Sequence, residues 1–342
     1  MIILRYLLFP FAMLYGIITF IRNFLYDKGI LKSYSFAVPI IAVGNLNVGG
    51  TGKTPQIEYL IRLLSPNYKV GTLSRGYKRK SNGFVLADAN SNAKILGDES
   101  FQFYKKFPQI KVAVDADRKH GIEQLLKQKD KMDVILLDDA FQHRKVKAGF
   151  YILLTAYDDL YCDDYMLPTG NLREGKRGAQ RADLIIITKC PSTISEMDQK
   201  GIKAKIGGNK PIFFSKINYD DKVYSEDKSI GVNELKDVDK LLLAGIAKPK
   251  PFFAYLQRED DVILKYSDHH HFNESEILEI KNKSNNKPII TTEKDFVRLK
   301  DSILKEQLFY LPIKTSFISG GDDFDKTILD YVGTCTRNSK LY

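Results

Sequence analysis

An α/β fold built around a mostly parallel sheet is predicted by three features of this 342-residue chain. Short apolar runs rich in β-branched residues alternate with segments of helical periodicity. The first such run, Val38-Pro39-Ile40-Ile41-Ala42-Val43, empties into a glycine-rich turn, and a later one, Val134-Ile135-Leu136-Leu137, ends in two carboxylates, Asp138 and Asp139. Parallel strands are buried on both faces and therefore read as continuous apolar runs, and their crossovers need a dozen residues or more. The length exceeds one ordinary domain of roughly 100–200 residues, so two α/β domains with an appendage are expected.

In chain order, the appendage comes first, over residues 1–32. From Tyr6 to Ile21 no residue is charged, with Arg5 before this stretch and Arg22, Lys28 and Lys32 after it. It lacks the small-residue cleavage site of a signal peptide, Pro10 and Gly16 interrupt it, and a spanning helix needs ~20 apolar residues. A hydrophobic helix lying partly in one leaflet, its basic residues at the headgroups, fits these features. A helix packed on the protein's own core is the alternative.

The strand at residues 38–43 opens a first domain, expected over residues 33–204. Ile57, Leu60, Ile61 and Leu64 recur at helical spacing, and Ser65-Pro66-Asn67 ends that helix. Further strands are expected at 69–73, 111–114, 133–137, 150–154 and 184–187, in the rhythm of a doubly wound sheet. Strands at 210–215, 240–244 and 288–291 predict a smaller α/β domain over residues 205–342.

Composition narrows the partners. The formal net charge of +10 favours polyanions, but no finger spacing, RNP-type strand or dense Lys/Arg run is present, so nucleic acid is not expected. Cys162, Cys190 and Cys335 are far apart and form no C-x-x-C pair, which points to a reducing compartment without a disulfide framework or zinc site.

The glycine-rich turn carries the chemistry. Gly49-Gly50-Thr51-Gly52-Lys53-Thr54 lies between strand and helix, where backbone N–H groups close around phosphate oxygens at the positive end of the helix dipole. In such a P-loop the Lys53 ammonium binds the β- and γ-phosphates of ATP, and the Thr54 hydroxyl is a ligand of Mg²⁺. The first glycine of the general pattern falls at Asn47, a residue type that tolerates the left-handed backbone glycine usually supplies. The acid pair fits a nucleotide-bound metal at the carboxyl edge of the sheet. Asp138 and Asp139 cannot both ligate without strain, and either could be the direct ligand.

Together these residues resemble the tetraacyldisaccharide 4'-kinases of lipid A biosynthesis over most of the chain. The resemblance rests on Val43-Gly44-Asn45 leading into Gly-Gly-Thr-Gly-Lys-Thr-Pro55, Ser74-Arg75-Gly76-Tyr77, Gly97-Asp98-Glu99, Asp117-Arg118, Asp138-Asp139 with Gln142-His143, and 167–174, Leu-Pro-Thr-Gly-Asn-Leu-Arg-Glu. It continues through Ala244-Gly245-Ile246, Pro251-Phe252-Phe253, Asp268-His269 and Thr292-Glu293-Lys294-Asp295. Ala140 stands where the family often has glycine. The resemblance implies a P-loop NTPase-like parallel sheet, a second, smaller α/β domain, and an N-terminal hydrophobic helix at the cytoplasmic face of the inner membrane. It also implies a reaction, transfer of the γ-phosphoryl of ATP to the 4'-hydroxyl of a tetraacylated glucosamine disaccharide 1-phosphate, giving lipid IVA.

The resemblance assigns the catalytic base to Asp98, with His269 hydrogen-bonded to it and Lys53 on the transferred phosphate. Read without it, Asp98 caps the following helix, since Asp is a favoured N-cap. His269, His270 and His271 do not read as a metal site, because adjacent side chains diverge and no matching cluster follows. Arg75, Arg118 and Arg173 suit phosphates of ATP or of the lipid, the planar guanidinium matching phosphate oxygens. Tyr77, Gln142, His143 and Glu174 are matched to the family's substrate site. Two rivals remain: a soluble P-loop kinase for a small metabolite, and a nucleotide switch. Thr188-Lys189 resembles part of a guanine-reading loop, but Pro191 stands where its Asp belongs.

Overall fold

In the computed structural model, Arg5, residues 7–268 and residues 270–339 are described. The chain forms two compact units, Met1–Ile217 with Thr315–Tyr342, and Asn218–Lys314.

The first unit opens with helix α1 (Phe9–Asp27). Pro10 does not interrupt it; the proline occupies the first turn, where the missing N–H costs nothing. Then follow β1 (Ile40–Asn45), α2 (Lys53–Leu64), β2 (Val70–Ser74), β3 (Val85–Leu86), α3 (Ala93–Leu96), α4 (Asp98–Lys106), β4 (Lys111–Val114), α5 (Arg118–Leu126), β5 (Val134–Asp138), β6 (Phe150–Ala156), β7 (Leu184–Thr188), α6 (Glu196–Ile206) and β8 (Ile212–Tyr219). In the second unit come β9 (Lys222–Tyr224), β10 (Ser229–Gly231), β11 (Leu241–Ala244), α7 (Lys250–Leu256), β12 (Val262–Lys265), α8 (Glu274–Ser284), β13 (Ile289–Thr292), α9 (Glu293–Leu299) and β14 (Leu308–Leu311). Strand β15 (Ile313–Ser319) and helix α10 (Gly321–Ser339) lead back to the first.

The first sheet runs β15-β8-β7-β6-β1-β5-β2-β4-β3. From β8 to β4 all pairs are parallel, and β3 is antiparallel to β4. Successive side chains of β1 feed opposite cores, as the two-residue period of a strand demands. Ile41 and Val43 pack with Ile57, Leu60, Ile61 and Leu64 of α2, whereas Ile40 and Ala42 meet Leu73, Ile122, Leu125 and Ile135. Strand order reverses at β1, whose neighbours are β5 and β6. Ligands of open α/β sheets bind in the crevice at such a switch point, beyond the carboxyl ends of the strands.

The expected boundary near residue 205 falls inside the first unit. Ile212 and Phe214 pair with Ile185 and Ile187, so β8 extends the first sheet. Helix α10 lays Phe324, Ile328 and Val332 into the core beside α2. The smaller sheet, β10-β9-β14-β13-β11-β12, is parallel from β14 to β12 with antiparallel β9 and β10 at its edge.

Helix α1 is amphipathic in an unusual sense. Ala12, Tyr15, Gly16, Thr19, Asn23 and Tyr26 form its inward stripe, and Phe11, Leu14, Ile17, Ile18 and Ile21 face outward. Phe11 is 62% exposed and Ile18 57%. Among the described residues it is the one helix long and apolar enough to cross a membrane, with mean hydropathy 1.3 over its most apolar window and 6% of that window buried.

Candidate active site

The glycine-rich loop leaves the end of β1 at Asn45 and enters α2 at Lys53. Gly49 (φ 122°) and Gly52 (φ 84°) take backbone conformations that L side chains resist, and Gly52 caps α2 in the left-handed region. No acidic side chain occupies the first turn of α2, so its N–H groups face the cradle with their positive dipole unneutralised. Both flanks hold the loop open. The Thr51 carbonyl accepts from the Thr188 hydroxyl at 2.8 Å, the Gly50 carbonyl from Lys189, and Val48 N–H donates to the Asn171 carbonyl at 2.7 Å. Asn47 does not take the left-handed conformation; it bridges to Leu172 and donates through Nδ2 to Asp164 at 3.0 Å. The side-chain amide, not tolerance of positive φ, is what this position uses.

Opposite charges converge beside the cradle. Lys53 Nζ lies 3.3 Å from Asn45 Oδ1 and 3.6 Å from Asp139 Oδ1. The Arg173 guanidinium grips Asp139 through both oxygens, at 3.1 and 2.8 Å, and donates to the Asn45 carbonyl at 3.1 Å and to Asn45 Oδ1. Burial works against the charge on Asp139, but Lys53 and Arg173 hold its carboxyl well below the usual carboxylate range. Asp138 behaves oppositely. Buried at the end of β5, facing the charges of Glu99 and Asp139, it is pushed up to about 7, and its Oδ1 meets no donor. Asp139 (φ 48°) turns the chain sharply after the strand, so the two neighbours reach different surroundings.

Arg118, 2% exposed, donates to the Asp138 carbonyl at 3.2 Å and to the Asp115 carbonyl, and its Nε has no acceptor. Burial lowers its pKa to about 10, which leaves it cationic at neutral pH. His143 is brought down to about 4 by burial, then by the charges of Arg118 and Arg75, and is a neutral imidazole at pH 7. These two side chains line a cavity of about 280 Å³ with Ala116, Asp117 and Lys145.

Two motifs far apart in sequence meet at Gly97. A Cβ there would lie 3.0 Å from the Tyr77 carbonyl and 3.3 Å from Gly76, on a backbone with φ 83°. Asp98 is thereby set beside the Arg75–Tyr77 turn, and the hydroxyls of Ser74 and Ser100 bond beneath it. Gly97 is the N-cap of α4 and Asp98 its first residue, so Asp98 is not the cap. Arg75 and Tyr77 are exposed. His269 lies outside the described residues; His270 pairs with Glu276 at 2.9 Å and stacks on Tyr266 within the second unit.

Glu174 and Gln142 are inward-facing. The Glu174 carboxylate, 2% exposed, accepts from Arg181 at 2.7 Å, Gln142 at 3.0 Å and Asn23 at 2.8 Å. Gln142 Nε2 also donates to the Asn45 carbonyl at 2.9 Å. Asn45, which these contacts make the hub of the site, was legible as a buried polar residue closing an apolar strand; Arg181, Asn23 and Asp164 carried no sequence signal. Gly44 is explained as well, because a Cβ there would come within 2.6 Å of Phe141 Cβ, blocking the segment that follows the acid pair. Among the described residues no cluster of three His, Cys, Asp or Glu could cage a metal by itself. Mg²⁺ in nucleotide sites takes only one or two carboxylates, with phosphates and water completing its shell.

Residues 4–333 match the family model described as Tetraacyldisaccharide-1-P 4'-kinase. The chain is 65% identical to the tetraacyldisaccharide 4'-kinase of Flavobacterium johnsoniae, across 96% of this chain and 98% of that one. It is 44% identical to the enzyme of the same name from Bacteroides thetaiotaomicron, across 98% and 95%. Among solved structures it resembles LpxK of Aquifex aeolicus in complex with ATP, with TM-score 0.79 and 29% identity, covering 96% of this chain and 99% of that one. With a P-loop cradle, an acid pair at the adjacent strand end and matches running nearly end to end, this chain belongs to the tetraacyldisaccharide-1-P 4'-kinase family.

Proposed function

We propose that the protein transfers the γ-phosphoryl group of ATP to the 4'-hydroxyl of a tetraacylated glucosamine disaccharide 1-phosphate, with Mg²⁺, at the cytoplasmic face of the inner membrane. The observation that carries the reading is the cradle before Lys53 with Arg173, Asp139 and Asp138 converging on its edge. Phosphoryl transfer needs positioning and charge stabilisation more than covalent help.

The loop N–H groups would bind the β-phosphate. Displaced from Asp139 by the nucleotide, Lys53 would follow the charge that develops on the transferred group. The buried, donor-free Oδ1 of Asp138 and the Thr54 hydroxyl in the first turn of α2 suit Mg²⁺. Bound there, Mg²⁺ supplies neutralisation of the β- and γ-phosphate oxygens. Metal binding requires the ionised carboxylate, which a cation favours at a group poised near neutrality. Asp98 would accept the proton of the 4'-hydroxyl as its bond to phosphorus forms. Arg75, Arg118 and His143, with Tyr77, would receive the anionic disaccharide. The outward apolar face of α1, flanked by Arg22, Lys28 and Lys32, suits a leaflet surface where an acylated substrate resides.

The test is incubation with labelled ATP, Mg²⁺ and the tetraacyl disaccharide 1-phosphate in mixed micelles. A bisphosphorylated lipid is the expected product. Hydrolysis of ATP at the same rate with and without acceptor would instead favour the switch reading.

A further inference from the structure

Helix α1 touches the active site at three points, two from its inward stripe and one from the exposed Arg22 beside it. Tyr15 OH donates to the Arg173 carbonyl at 2.9 Å, Arg22 to the Gln142 carbonyl at 2.8 Å, and Asn23 Nδ2 to Glu174 Oε2 at 2.8 Å. These positions, i, i+7 and i+8, lie on one face of a helix. Asn23 Oδ1 is buried and meets no donor, so its amide is oriented by the carboxylate alone. From Glu174 the bonds run through Gln142 Nε2 to the Asn45 carbonyl, which also receives Arg173, while Asn45 Oδ1 receives Arg173 and Lys53. Each link is buried or partly buried, where a missing hydrogen bond leaves a group unsatisfied and frees its neighbours to move.

We propose that Asn23 is a positioning residue of the phosphate-transfer site: by holding the Glu174 carboxylate it fixes Gln142 and Asn45, and through Asn45 the Arg173 guanidinium and the Lys53 ammonium. Helix α1 is then part of the catalytic frame as well as a surface element. This rests on the kinase reading above for the nature of the transferred group, not for the network itself.

The test exchanges the polarity of the bond. Asn23→Asp sets two carboxylates against each other, and a displaced Glu174 should lower kcat about tenfold or more while KM for ATP stays within about threefold. Glu174→Gln alone loses the charge that Arg181 faces but keeps an acceptor, and should lose less. In the double variant an amide at 174 donates to the carboxylate introduced at 23, so kcat should return to the level of Glu174→Gln alone. Losses that multiply in the double variant, or an unaltered kcat in folded Asn23→Asp, overturn the proposal. If thermal melts show that Asn23→Asp does not fold, Asn23→Ala, which deletes the donor without adding charge, is read in its place, and an unchanged kcat again overturns it. Should the wild-type protein leave the disaccharide unphosphorylated, the reaction assignment fails, and the same cycle is read on ATP hydrolysis.

Discussion

The carboxyl of Asp138 is pushed up to about 7, chiefly by burial, while that of Asp139 is held low by Lys53 and Arg173. A folded value above the 3.8 of the free side chain means that the folded state binds more protons between those two pH values. The stability contributed by this group is therefore present in acid and is lost as pH rises from about 4 to about 7. Asp138→Asn removes the ionisation. Without Mg²⁺ or nucleotide, its Tm should exceed that of the wild type by ~2 °C or more at pH 8 and by less at pH 5; equal increments at both pH values would contradict the buried-carboxylate account. Lys53→Ala and Thr54→Ala should each abolish useful turnover without unfolding the protein, since both side chains are partly exposed at the cradle and outside the core. Near-normal activity at saturating ATP and Mg²⁺ would remove the P-loop assignment. Asp98→Ala should depress kcat by about 10²–10⁴ with little change in KM for ATP, as for a positioned base. An unchanged kcat would leave Asp98 only its place in the first turn of α4.

At the scale of elements, α1 and the cradle show what local pattern conveys and what it omits. The uncharged run predicted a hydrophobic helix correctly, but the roles of its inward Tyr15 and Asn23 are defined only by the groups they meet, the Arg173 carbonyl and the Glu174 carboxylate. The same holds for Asn47, whose partner Asp164 is far along the chain. Because α1 supports the site, deleting residues 1–21 should disturb catalysis as well as surface binding. The cleaner variant replaces outward residues alone. Phe11→Ser with Ile18→Ser should reduce partition to anionic liposomes by about tenfold or more, since each large side chain contributes ~1.5–3 kcal/mol when buried. Nucleotide affinity, measured by titration of the same protein, should stay within about twofold. Undiminished partition would show that this face does not meet the lipid.

The whole first unit is closed by a segment from the far end of the chain. Phe324, Ile328 and Val332 of α10 are fully buried against α2 and the sheet, Tyr59 bonds Asp325 at 2.8 Å, and Tyr331 OH bonds the backbone of Ile40. Ile328→Ala should cost about 2–5 kcal/mol of stability by opening a cavity in this core. Chemical denaturation monitored through the first unit would check this, and a loss below about 1 kcal/mol would show that α10 is peripheral.

The sequence by itself determined the α/β class, the nucleotide cradle, the acid pair and the family, because each depends on residues close together in the chain or on motifs recurring in fixed order. The apolar runs became β1, β2, β4, β5, β6 and β7 within a residue or two. Tertiary structure decided where the domains divide, since β8 continues the first sheet beside β7, and β15 and α10 return to it from the far end of the chain. It also decided which polar side chains serve the site from within. Glu174, matched to the family's substrate site, is a buried acceptor, and Gln142, matched to the same site, is a half-buried donor to it. A buried polar residue is recognised by the partners that satisfy it, and for Asn23, Asn45, Arg173 and Glu174 those partners come together only when the chain has folded.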